Sequence, residues 1–80
     1  MEPRQRFAEN LRRRRRERGL SQEALGELCD LHRTEVSLLE RGGRDPRLAT
    51  IVKIAWALEL APGDLLAGLE APGGQTCGPA

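Results

Sequence analysis

Apolar residues recur along this chain at spacings of three and four, the repeat of helices that each hide one face. Phe7 and Leu11 share a face in the first such stretch. Val36 and Leu39 do so in the third, and Leu48, Ile51, Ile54, Ala55 and Leu58 form one arc in the fourth. The pattern predicts five helices, over residues 4–18, 22–29, 33–41, 48–59 and 62–69. Turn chemistry sets the boundaries. Gly19 suits the left-handed residue that follows a helix, and Ser21 suits an N-cap, with Glu23 in the first turn to complement the dipole. Asp30 and Leu31 form a tight turn, Gly42-Gly43 stops the third helix, and Asp45-Pro46 marks a loop. Pro62 fits the first position of the fifth helix. From residue 71 the chain reads Ala-Pro-Gly-Gly-Gln-Thr-Cys-Gly-Pro-Ala, without apolar period. One domain over residues 1–70 and a disordered tail over 71–80 are expected.

The second and third helices meet across a very short turn, which forces a steep crossing and a close backbone approach. Gly26 supplies the room, since a large side chain there would run into the third helix. Leu25, Leu31, Val36 and Leu39 then close the corner into one apolar cluster. At about 100° per residue, Val36 and Leu39 define the inner face of the third helix, and Arg33, Thr34, Ser37, Leu38 and Arg41 share an outward one. That face is short and rich in hydrogen-bonding groups. It suits a major groove, where Arg reads guanine and Thr or Leu touches a thymine methyl.

Composition supports the helical reading. With 80 residues, one Phe, one Trp and no Tyr, the core must come from Leu, Ile, Val and Ala. Scarce aromatic and β-branched residues favour helix over sheet. A core this small is marginal alone, so a tight bundle or a partner chain should help it. The net charge is +1, unevenly spread: +5 over residues 1–18, −3 over 19–31, +1 over 32–47 and −2 beyond. A small domain polarised in this way can hold an anion on one face. Arg outnumbers Lys twelve to one. That bias favours bidentate contacts to guanine and phosphate, and it is also what codon usage in a GC-rich genome produces. The run from Arg12 to Arg16 divides on the wheel. Arg14, Arg15 and Arg18 lie on or beside the Phe7/Leu11 face and need partners, while Arg12, Arg13 and Arg16 point away as a solvated face.

Other chemistries find little support. Cys29 and Cys77 have neither metal nor redox spacing, and Cys29 falls in the core pattern. His32 is the only histidine, better placed as a helix cap or phosphate neighbour than as a ligand or catalyst. Serines and aspartates are too scattered for a triad, and no glycine loop forms a phosphate cradle. No catalytic residue, cofactor or metal is expected. The longest wholly apolar run, residues 54–58, is too short to cross a bilayer, and no signal peptide is visible, so a cytoplasmic location is expected. Trp56 lies outside the arc of the fourth helix. It is either partly buried under the fifth helix or the N-terminal segment, or a dimer contact together with Leu60, Leu66 and Leu69.

The run Gly19-Leu20-Ser21-Gln22, the Leu25-Gly26 pair, Val36-Ser37-x-Leu39-Glu40-Arg41-Gly42, Pro46, and Ile54-Ala55 with Leu58 together resemble the phage-repressor/Cro-type (XRE) helix-turn-helix family. The likeness covers about residues 7–69. It implies an all-α, compact five-helix, lambda-repressor-like domain whose second and third helices form the motif. By that resemblance Gln22 contacts a phosphate, and Arg33, Thr34, Ser37 and Leu38 face base edges. Arg41, Arg44 and Arg47 meet the DNA backbone, with His32 beside them as a phosphate neighbour by its own placement, and Arg15 pairs with Glu40 to tie the first helix to the third. The chain departs from the family at Asp30 and Glu59, where Gly is common, and at His32, where Ser or Thr is usual. Leu28 and Leu38 replace more polar residues. Glu35 opposes phosphate binding unless it accepts from a cytosine or pairs with a nearby Arg.

The implied function is a sequence-specific, repressor-like bacterial transcription regulator acting on double-stranded DNA as a homodimer. Its third helices would enter successive major grooves about 34–36 Å apart. A repressor, a restriction-modification controller and an antitoxin all fit. A different class, a module that uses the same fold to hold a protein partner, draws on the weak net charge and on Leu28, Leu38 and Glu35. No membrane association and no small-molecule domain are expected.

Overall fold

A computed structural model describes residues 1–69. These form five helices and no strand: α1 (Pro3–Glu17), α2 (Gln22–Cys29), α3 (Arg33–Glu40), α4 (Leu48–Ala57) and α5 (Pro62–Leu65). The expected tail and Cys77 lie outside the described residues. α3 packs against both α1 and α2, α4 against α2 and α5, and α5 returns to α1, so the chain closes on itself around one core. Phe7, Leu11, Leu25, Val36, Leu39, Ile54, Leu58 and Leu65 have at most 2% of their surface exposed. Burying each of these side chains contributes roughly 1.5–3 kcal/mol. Leu31, together with Leu20 and Leu60, packs half-buried against this cluster.

Four helices end on a left-handed residue: Gly19 after α1, Asp30 after α2, Gly42 after α3 and Glu59 after α4. At all four ends the next amide reaches back to the carbonyl five residues earlier: Leu20 to Arg15, Leu31 to Gly26, Gly43 to Leu38, and Leu60 to Ala55. That bond satisfies a carbonyl that the helix leaves free. Glu59 at φ 57° makes α4 end at Ala57, short of the predicted residue 59. α5 is also shorter than predicted, ending at Leu65 rather than 69. A side chain from elsewhere takes over its last carbonyls. Asn10 on α1, 3% exposed, donates from Nδ2 to the carbonyls of Leu65 (3.0 Å) and Ala67 (2.9 Å).

The wheel misplaces Leu48. As the first residue of α4 it lies beyond the edge of the core and is 76% exposed. Cys29 is buried, and its thiol donates to the Leu25 carbonyl at 3.1 Å. Burial raises its pKa, which keeps it a protonated, unreactive thiol.

Candidate nucleic-acid interface

α2 begins at Ser21, whose Oγ accepts from the Ala24 amide at 3.0 Å. It ends at Asp30 (φ 59°, ψ 45°), and the Leu31 amide donates to the Gly26 carbonyl at 2.8 Å. This turn folds back over Gly26 itself. A Cβ on Gly26 would overlap the Leu31 carbonyl oxygen. The close approach therefore comes from the turn's backbone, not from the body of the third helix as the sequence reading had it. α3 then starts at once, with His32 as its N-cap, and the imidazole Nδ1 accepts from the Thr34 amide at 3.1 Å. A histidine here does the work of the more usual Ser or Thr.

Val36, Leu39 and Glu40 form the buried side of α3. Arg33, Thr34 and Arg41 are exposed, whereas Ser37 and Leu38 are half-buried. Leu38 leans towards the loop after the helix, where its Cδ2 borders the space beside Gly43. The predicted outward face is thus fully open at Arg33 and Thr34 and recessed at Ser37 and Leu38. Arg33 comes within 4.0 Å of Glu23, both well exposed, a contact too loose and too wet to hold the guanidinium. Arg44 donates from Nη1 to Glu35 Oε1 at 2.6 Å. Arg41 and Arg47 are exposed and make no salt bridge among the described residues.

Behind α3 lies a charged hub. The Glu40 side chain, 3% exposed, accepts from Arg15 Nε (2.5 Å to Oε2) and Nη2 (2.9 Å to Oε1). Arg15 Nη1 also donates to the Leu20 carbonyl at 2.7 Å. Glu40 raises the Arg15 pKa chiefly through this hydrogen bond, against the opposing effect of burial, so the guanidinium keeps its charge. Two further groups converge on it. Gln22 Nε2 donates to Glu40 Oε1 at 3.2 Å, and Arg12 Nη1 donates to the Glu40 backbone carbonyl at 3.2 Å. Sequence reasoning missed both contacts. The family resemblance sent Gln22 to a phosphate and the wheel sent Arg12 to solvent, and neither records where a long side chain ends. Arg18 binds Glu59 at the surface, and half-buried Arg14 lies beside Glu17 at 3.7 Å.

Away from α3, α4 carries an exposed apolar stripe. Leu48 (76%), Val52 (48%) and Trp56 (76%) follow one another at i, i+4 and i+8. Trp56 is not tucked under α5 or the N-terminal segment. Of its expected companions, Leu66 is 37% exposed, while Leu60 and Leu69 are half-buried, Leu60 against the core. Leu48 and Val52 were missed as members of this face. No group of three or more potential metal ligands occurs among the described residues, and no helix there is long and apolar enough to cross a membrane.

Known proteins share this arrangement. The control protein C.BamHI of Bacillus amyloliquefaciens is 53% identical over 47 residues, which span 59% of this chain and 58% of that one. The crystal structure of the restriction-modification controller protein C.AhdI from Aeromonas hydrophila superposes with a TM-score of 0.76 at 42% identity, covering 78% of this chain and 94% of that one. The P22 c2 repressor, crystallised in complex with a synthetic operator, superposes with a TM-score of 0.72 at 29% identity, covering 78% and 94%. The helix-turn-helix family pattern matches residues 11–65, from the core side of α1 through α5. The chain belongs to the helix-turn-helix family.

Proposed function

We propose that this protein is a sequence-specific DNA-binding transcriptional regulator, repressor-like and bacterial, that binds as a homodimer with α3 in the major groove. The observation that carries the reading is the N-terminal half of α3. Arg33 and Thr34 stand free on a helix whose other side is fixed by Val36, Leu39 and the Glu40–Arg15 pair. A rigid helix that presents a guanidinium and a hydroxyl is what base-edge recognition requires. In this reading Arg33 and Thr34 contact base edges directly, with Ser37 and Leu38 deeper in the groove wall. Arg41, Arg44, Arg47 and His32 meet the backbone, and Gln22 reaches a phosphate by leaving Glu40, which Arg15 continues to neutralise. The similarity to a restriction-modification controller protein and to a second control protein favours the controller role over antitoxin or phage-type repressor.

The α4 stripe is assigned to a second copy of the chain. Trp56, Val52 and Leu48 supply its apolar centre, and Leu60, Leu66 and Leu69 are its further candidate contacts. A two-fold dimer places two α3 helices on one face of a duplex, one helical turn apart. The reading gives the protein a cytoplasmic location and a binding role without catalysis. Selection of bound sequences by the purified protein from a random duplex pool tests it. A near-palindromic consensus with half-sites one turn apart is expected, and a pool that shows no enriched sequence would contradict the proposal.

A further inference from the structure

Glu35 places a carboxylate on the very helix proposed to enter a duplex, within one turn of Arg33 and Thr34. Left alone it would repel phosphates. It is not left alone, because its Oε1 accepts from Arg44 Nη1 at 2.6 Å, across the junction of α3 and the following loop. The same cleft is lined by His32, Asp45, Arg47 and Lys53. Asp45 is engaged by Arg4 at 3.3 Å, while Arg47 and Lys53 make no salt bridge among the described residues. Glu35 is thus committed to a single loop guanidinium although other cations stand near it. The pair lies at the surface, with side-chain exposures of 27% for Glu35 and 52% for Arg44. A pair so placed contributes little to stability, so its main consequence lies in where it holds the Arg44 charge.

We propose that Glu35 is a specificity-determining residue. It holds the Arg44 guanidinium in one orientation and withdraws that charge from indiscriminate phosphate contact. The inference rests on the reading of α3 and its loop as the DNA interface. Non-specific binding is driven by counterion release, with a slope of about 0.9 for each phosphate neutralised. An arginine tied to a carboxylate supplies none of this until the pair breaks. A guanidinium has five N–H donors, and Glu35 takes one from Arg44. A well-fitted duplex offers an acceptor where the oriented fork already points, and Arg44 can bridge it to Glu35. An ill-fitted duplex must first break the pair, and the difference between the two cases is discrimination.

Glu35→Gln keeps the shape and removes the charge. Affinities of wild type and variant are to be measured across a range of salt, on the duplex recovered by selection and on a scrambled one. Binding of the variant to the scrambled duplex should tighten about threefold to tenfold, with a salt slope steeper by about one. Binding to the selected duplex should change less, so that the specificity ratio falls. In Glu35→Gln/Arg44→Gln the gain on scrambled DNA should vanish. Arg44→Lys, which keeps the charge without the fork, should lower the ratio too. Equal gains on both duplexes, a gain that survives loss of Arg44, or no gain at all would each overturn the proposal. So would a loss confined to the selected duplex with altered base preference, which would make Glu35 itself a base reader. A wild type that binds neither duplex sinks the DNA-binding reading and this one with it. A wild type that discriminates, beside a Glu35→Gln variant with the same ratio, sinks only this one.

Discussion

At the scale of single residues, the arrangement turns on Glu40. A buried carboxylate is tolerable only if charge and lone pairs are both answered. Here Arg15 answers the charge, and Arg15 and Gln22 together fill the oxygens. Glu40→Gln would leave Arg15, a residue only 8% exposed, without its counter-charge. A loss of about 3–5 kcal/mol in urea unfolding is expected, and a loss below about 1 kcal/mol would show that the hub contributes little. Glu59 presents the opposite case. It is a non-glycine residue held at φ 57°, a conformation that costs roughly 1–2 kcal/mol. Glycine removes that cost but adds about 0.5–1 kcal/mol of chain entropy. These two terms leave a gain of about 0.5–1 kcal/mol, and loss of the exposed Arg18 contact takes back part of it, so Glu59→Gly should stabilise by a few tenths of a kcal/mol. Asp30→Gly should gain less, since Asp tolerates the left-handed region better. A lower melting temperature for Glu59→Gly would refute this.

At the scale of elements, the helix-turn-helix corner was the most legible part of the chain. Ser21 and Gly19 advertised a boundary, Gly26 advertised a close approach, and the spacing of Val36 and Leu39 fixed which side of α3 faces inward. Each of these signals is local, a matter of one cap or one turn. The ends set by distant groups were not legible. α5 stops where Asn10, 55 residues away in sequence, captures the Leu65 carbonyl, and no periodicity records that. α4 stops at a Glu in a conformation that a glycine would have announced and a glutamate does not. Gly26→Ala tests the corner. The added methyl meets backbone that cannot swing aside, so the turn must open. A loss of about 1–3 kcal/mol is expected, with weakened DNA binding through displaced α3. Unchanged stability would mean that the turn is slack.

At the scale of the whole molecule, an 80-residue chain leaves its single tryptophan outside its own core, together with Leu48 and Val52. The sequence marked Trp56 as off the inner arc but could not find its neighbours, because Leu48 is excluded from the core by its place at the helix end and not by its angle. If a second copy covers this stripe, Trp56 fluorescence should shift to the blue as concentration rises, and Trp56→Glu should sediment as a monomer with weakened DNA binding. An emission spectrum independent of concentration, with a monomeric wild type, would remove the dimer from the account.

The central claim is that α3 reads bases through Arg33. Its most direct test is the affinity of wild type and Arg33→Ala for the selected duplex and for a scrambled one at the same salt. The variant should lose about 1–3 kcal/mol on the selected duplex and much less on the scrambled one, so that discrimination falls. An equal loss on both would make Arg33 a phosphate contact and contradict the assignment of α3 as the reading element.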